Sequence, residues 1–112
     1  MINHFILLKY KEDTSESHVH DFCRMMYALS NEISEVKELQ IGLDIVHDQR
    51  SWDLILIMQF DSLADLKAYQ VHPAHQEVSK FNQPMVNQVA SLDFAQAVRQ
   101  VAQEDIDARF GK

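Results

Sequence analysis

Two histidines flank a proline and an alanine in the segment His72-Pro73-Ala74-His75. Pro73 suits the first turn of a helix, because its fixed φ fits that turn and its missing N–H is not needed there. His72 is then placed to cap the helix or to line the rim of a pocket, and His75 falls in the first helical turn. A histidine in that position is a candidate base near neutral pH, or a group that only ties the helix start to the rest of the fold.

A metal ion is the second chemistry that these two histidines suggest, since one helical turn can bring them together. Metal sites in proteins need three or four ligands. Glu77 points elsewhere on the helix, and no other nearby carboxylate or cysteine completes a set. The sequence therefore predicts no metal site and no other cofactor.

The single cysteine, Cys23, excludes an internal disulfide and lies within a helical apolar pattern. A nucleophilic cysteine needs a base beside it, and no matched base is visible in the sequence. We interpret Cys23 as a small buried apolar residue.

The charge balance argues against nucleic acid and membrane partners. The 112 residues carry 17 acidic and 10 basic side chains, a formal net charge of −7, without a Lys/Arg cluster. Nucleic acids and anionic membranes both attract basic surfaces. The N-terminus lacks the features of a signal peptide, and the longest apolar run, Leu54 to Met58, is too short to span a membrane. We expect a cytoplasmic protein.

Four segments alternate in the manner of β-strands, and the segments between them have helical periodicity. The first helix has an apolar stripe from Val19 to Ile33, the second is capped by Ser62, and a third begins at Pro73 and breaks near Asn82 because of Pro84. The predicted strands are Ile2–Tyr10, Leu39–Ile45, Trp52–Phe60 and Val89–Phe94.

The order β-α-β-β-α-β predicts an α+β fold of the ferredoxin-like type, a four-stranded antiparallel sheet with helices on one face. We assign residues 1–95 to this domain and 96–112 to a C-terminal tail whose weak apolar stripe favours a helix.

Both faces of the first and third strands are apolar. Phe5 and Leu7 alternate with Ile6 and Leu8, and the third strand repeats this pattern. Helices can cover only one face, and a bare apolar sheet face is larger than the patches that monomers normally expose. The pattern predicts a homodimer through the open face; the alternative cover is the tail folding back.

These segments together resemble the stress-responsive α/β-barrel family, also called the dimeric A/B barrel domain. The resemblance implies a homodimer in which the two sheets form a shared barrel, and it spans residues 2–95. It rests on HFILLK at His4–Lys9, Gly42, WDLILIMQFDS at Trp52–Ser62, AYQVHPAH at Ala68–His75 and SLDF at Ser91–Phe94.

The same resemblance implies a catalytic set. A plant member of the family is a polyketide cyclase that works without metal or organic cofactor and uses the second histidine of this motif as general acid or base. The matching residues here are His75, Tyr69 as a hydrogen-bond donor, and Asp93 as the group that orients His75. A neutral histidine can take a proton from carbon beside a carbonyl, while a tyrosine donates to the developing enolate oxygen.

The expected pocket also includes His4, His72 and Leu54. The plant cyclase has a histidine on the third strand where this chain has Leu54, so the pocket should be more apolar here and the plant substrate does not carry over. We therefore expect a small apolar carbonyl ligand and, in an enzyme, cyclase-like or isomerase-like chemistry. Two alternatives remain: a non-catalytic stress-responsive or ligand-binding module with structural histidines, and a cofactor-free monooxygenase on the same barrel.

Overall fold

The computed structural model describes residues 1–95 and 101–111. Its elements follow the predicted order, with one short 3₁₀ turn and one helix in the tail. They are β1 (Ile2–Tyr10), α1 (Glu16–Glu32), β2 (Glu38–Leu43), β3 (Leu54–Phe60), α2 (Leu63–Val71), α3 (Pro73–Asn82), the 3₁₀ turn Gln83–Met85, β4 (Val86–Phe94) and α4 (Gln103–Arg109).

The four strands form one antiparallel sheet in the order β2-β3-β1-β4. This arrangement confirms the predicted ferredoxin-like α+β fold, with β1 and β3 at the centre. Because side chains alternate between faces, the register places His4 on the same face as Met58 of β3 and Asp93 of β4. That face is the one against which the helices pack.

Polar caps fix the ends of the helices where the sequence predicts them. The Ser62 hydroxyl accepts a hydrogen bond from the Asp65 N–H at 3.1 Å, and His72 Nδ1 accepts from the Ala74 N–H at 3.0 Å. α3 ends at Asn82, and the chain continues as the 3₁₀ turn that contains Pro84. The predicted cap at Ser62 and the break near Asn82 are confirmed.

The core lies between the sheet and α1, α2 and α3. Met58 and Phe60 of β3 have no exposed surface, and Met26, Leu29 and Ile33 of the α1 segment are nearly as buried. The opposite face of the sheet, here called the open face, carries Phe5, Leu7, Ile55, Ile57 and Leu92. Leu92 is 62% exposed, and the other four are only half-buried.

Three strands have boundaries that differ from the predicted ones. β2 is Glu38–Leu43, so it starts one residue earlier and ends two residues earlier than the predicted Leu39–Ile45. β3 begins at Leu54, because Asp53 turns the chain: its N–H donates to the Leu8 carbonyl and its carboxylate accepts from the Tyr10 N–H. β4 begins at Val86, since it pairs with Tyr10 as soon as the 3₁₀ turn ends. The described part of the tail contains α4, and the predicted helical segment at 96–100 lies outside the described residues. None of the described helices is long and apolar enough to cross a membrane.

Candidate functional site

A cavity of about 460 Å³ lies between the helix-facing side of the sheet and α1, α2 and α3. Its walls are mostly apolar, with side chains such as Phe22, Leu56 and Val78. A few polar side chains lie among these apolar walls. Three of them are residues predicted from the sequence: His75, Tyr69 and Asp93. His4, predicted to line the pocket, does so. A mostly apolar pocket with a few convergent polar groups is typical of small-molecule sites.

His75 is oriented by the backbone of the preceding helix. Its Nδ1 lies 3.1 Å from the carbonyl oxygen of Gln70. A carbonyl oxygen can only accept a hydrogen bond, so Nδ1 carries the proton. In the neutral ring Nε2 is then the nitrogen with a free lone pair, which is the form a general base requires.

The surroundings of His75 keep its ring neutral. Burial lowers its pKa below the ordinary value of 6.5, since a charged imidazolium loses hydration in the cavity wall. The hydrogen bond to Gln70 opposes this shift, and the nearby His4 adds to it. A His75 ring that stays neutral at neutral pH is available to accept a proton.

Tyr69 lies beside His75, with 4.5 Å between the ring centroids. Its side chain is 2% exposed, and burial raises the pKa of its hydroxyl far above the ordinary 10.0. Within residues 1–95 and 101–111, no protein group bonds to this hydroxyl, and every fully buried side-chain oxygen there has a partner. The hydroxyl therefore stays protonated and reaches the cavity, where it can donate to a ligand oxygen.

Asp93 does not orient His75, which corrects the pairing expected from the sequence. Its carboxylate pairs with Nδ1 of His4. The reason is the sheet register: His4 and Asp93 are directly opposite each other on β1 and β4, whereas His75 reaches back to Gln70 at the end of α2. Asp93 thus positions a second histidine of the cavity, and a backbone carbonyl holds the first.

His72 and Leu54, both expected to line the pocket, are not among the described residues of the cavity wall. The His72 side chain is used in capping α3. Leu54 is 2% exposed and belongs to the hydrophobic core, so the sheet contributes Leu56 and Met58 to the cavity instead.

Asn82 is a polar cavity residue that sequence reasoning missed. It is 6% exposed, and its Oδ1 accepts hydrogen bonds from the Tyr10 hydroxyl at 2.7 Å and from His18 Nε2 at 3.1 Å. His18 is in turn stacked on Phe81 at 4.5 Å. The helical spacing from His75 through Val78 to Asn82 places all three on one face of α3, and this was the available signal.

Metal-ligating groups do not cluster in the described part of the chain. No set of three or more His, Cys, Asp or Glu side chains there could hold a metal ion.

The family model described as the Stress responsive A/B Barrel Domain matches residues 2–96. The chain belongs to this family. The match spans all four strands and the first three helices, and it includes every residue of the candidate site.

Three known proteins are similar to this chain. An olivetolic acid cyclase from Cannabis sativa is 28% identical over 76 residues, which cover 66% of this chain and 75% of the cyclase. A dimeric protein of unknown function with a ferredoxin-like fold from Bacteroides fragilis has a TM-score of 0.74 and 26% identity over 83% of this chain and 93% of its own.

The third relative is a hydroxynitrile lyase from Passiflora edulis, with a TM-score of 0.77 and 21% identity over 89% of this chain and 96% of its own. This likeness shows the shared fold alone. Since this fold occurs in a lyase and in a protein of unknown function, the function must be argued from the site.

Proposed function

We propose that this protein is a homodimeric barrel protein that binds a small, mostly apolar carbonyl compound and transfers a proton at the carbon beside the carbonyl. In this proposal His75 is the base and Tyr69 the hydrogen-bond donor, and no cofactor takes part. The reaction belongs to the cyclase-like or isomerase-like class. The observation that carries the proposal is the His75–Tyr69 pair in the apolar cavity, with His75 Nδ1 bonded to Gln70.

The proton transfer follows from the two side chains. His75 Nε2 accepts the α-proton of the ligand while the C–H electron pair moves into the enolate. The Tyr69 hydroxyl donates a hydrogen bond to the oxygen on which negative charge develops. The apolar walls strengthen this hydrogen bond, because competing water is excluded.

His4 and Asp93 have a different part in this proposal from the one that the sequence suggested. The Asp93 carboxylate holds Nδ1 of His4, so that the remaining ring nitrogen of His4 is available at the cavity wall. Asp93 is 37% exposed and acts through His4, as a positioning residue. The similarity to a cyclase from Cannabis sativa supports the reaction class and leaves the substrate open.

The homodimer in this proposal forms through the open face, with a second copy of the same chain as its cover. Five apolar side chains are gathered there, and burying them removes an exposed patch of the kind that marks interaction sites. The dimeric relative from Bacteroides fragilis supports this assembly.

The test is deuterium exchange at the α-carbon of a simple ketone, octan-2-one, followed by NMR in heavy water. The protein should accelerate exchange, His75→Phe should abolish the acceleration, and Tyr69→Phe should reduce it by about a hundred- to a thousandfold, as expected for loss of one oxyanion donor. His20→Phe, at an exposed position of α1 outside the cavity, is the matched control and should not change the rate.

Binding of the ketone without any His75-dependent exchange would refute the catalytic role and favour the ligand-binding module. Oxygen uptake with a quinol substrate, if it depended on His75, would favour the monooxygenase alternative instead.

A further inference from the structure

A second polar position lies in the cavity beyond the His75–Tyr69 pair. Asn82 is on the same face of α3 as His75 and two turns farther along, about 10 Å along the helix axis. Neither the proton transfer nor the sheet pairing uses it. Its buried side-chain amide nevertheless lines the cavity wall.

The orientation of the Asn82 amide is fixed by two donors from other elements. The Tyr10 hydroxyl of β1 and His18 Nε2 of α1 both donate to Oδ1. Burial raises the pKa of Tyr10 to about 12, so its hydroxyl remains a donor at neutral pH. His18 is held edge-on to Tyr10 with 5.8 Å between ring centroids, and it is stacked on Phe81.

With Oδ1 occupied, the Asn82 amide nitrogen remains to be paired. Across the described ranges 1–95 and 101–111, no protein acceptor bonds to Nδ2. Every fully buried side-chain nitrogen in those ranges has a partner, so an unpaired Nδ2 must reach the cavity. A ligand that fills the cavity and leaves this N–H group unpaired loses binding free energy. A ligand with an acceptor atom at this position therefore binds more tightly.

We propose that Asn82 is a ligand-anchoring residue whose Nδ2–H donates to a second, uncharged acceptor oxygen of the ligand, at the end of the cavity away from His75. Tyr10 and His18 hold the amide for this contact. No Lys or Arg is among the described residues of the cavity wall, so a neutral carbonyl oxygen fits this position better than a carboxylate. The preferred ligand is therefore an apolar chain with one carbonyl beside His75 and another at Asn82, an inference that rests on the proposed function.

The test compares two ketones of equal chain length, octan-2-one and octane-2,7-dione, which differ only in the second carbonyl. NMR titration of the wild-type protein should show roughly five- to twentyfold tighter binding of the dione, the factor for one net hydrogen bond multiplied by two for the dione's two equivalent ends. The side-chain amide signals of Asn82 should shift with the dione and much less with the monoketone.

Asn82→Asp is the informative variant, because it keeps an oxygen for Tyr10 and His18 and replaces the N–H donor by a second carboxylate oxygen, which accepts and carries a negative charge. The ratio of dione to monoketone affinity should fall to about two, the statistical factor that the two equivalent ends of the dione leave. Asn87→Asp, at an exposed position of β4, is the matched control and should keep the wild-type ratio. If Asn82→Asp fails to fold, the wild-type Asn82 amide signals decide the question.

A dione preference of no more than about twofold in the wild type overturns the role of Asn82, as does a larger preference that survives in folded Asn82→Asp. If octan-2-one still exchanges its α-proton through His75 in that case, the proposed function stands without Asn82. If neither ketone binds, both proposals fail.

Discussion

Introducing a charge on the open face should separate the two copies of the proposed dimer. Ile57 lies at the centre of this face, between Phe5 of β1 and Gln40 of β2, and is half-buried in the single chain. Lysine at this position keeps a long side chain but places an ammonium group against the apolar surface of the second copy.

The size of the effect of Ile57→Lys can be worked from the exposure of the side chain. At most about a third of the Ile57 surface remains exposed, so completing its burial contributes up to roughly 1 kcal/mol, and two copies lose up to roughly 2 kcal/mol. Desolvating each ammonium group costs several kcal/mol more unless it finds a partner. A total of at least about 4 kcal/mol weakens association by about a thousandfold.

Sedimentation equilibrium over a range of concentrations measures this change directly. The wild type should sediment at twice the 13.0 kDa mass of one chain, and Ile57→Lys at that mass. Tyr27→Lys is the matched control, because Tyr27 is 67% exposed on α1, away from the sheet. A monomeric wild type, or an Ile57→Lys variant that dimerises as tightly as the wild type, would refute the assignment of the open face.

Three further predictions concern single side chains. Because the pKa of His75 is lowered from 6.5, the unfolded chain binds more protons than the folded one just below pH 6.5, so the free energy of unfolding should rise with pH in that window. Urea unfolding should show this slope, and His75→Gln should flatten it; an unchanged slope would contradict the assignment. Asp93→Asn should change the ring nitrogen shifts of His4 and leave the Nδ1 proton of His75 in place, whereas loss of that proton would show that Asp93 orients His75. Ser62→Ala should lower the free energy of unfolding by about 1 kcal/mol through loss of the α2 cap, and a change near zero would argue against the cap.

The fold could be predicted from the sequence because its signals are local. Apolar residues on both faces of β1 and β3 indicate that these are the central strands. The cap at Ser62 and the break before Pro84 each depend on residues nearby in the sequence. The strand ends were less accurate, since the start of β4 depends on pairing between Val86 and Tyr10, far apart in the sequence.

Only part of the cavity wall could be predicted from the sequence. His75, Tyr69, Asp93 and His4 line one cavity, whereas His72 and Leu54 do not, and residue types cannot tell which histidine the carboxylate reaches. Strand register decides that, and it pairs Asp93 with His4.

The role of Asn82 could not be predicted from the sequence because it depends on three elements at once. Asparagine near the end of a helix is common, and its helical spacing from His75 indicates only a shared face. The hydrogen bonds from Tyr10 on β1 and His18 on α1 appear only when the strand and the two helices are packed together.

The central claim, that His75 is a neutral base with its free nitrogen at Nε2, is tested most directly by a pH titration of its ring nitrogens in long-range ¹H–¹⁵N NMR spectra. At neutral pH the proton should be on Nδ1 and Nε2 should have the shift of an unprotonated nitrogen, with a pKa below 6.5. A proton on Nε2 at neutral pH, or a ring that does not titrate, would contradict the role of His75 as the base.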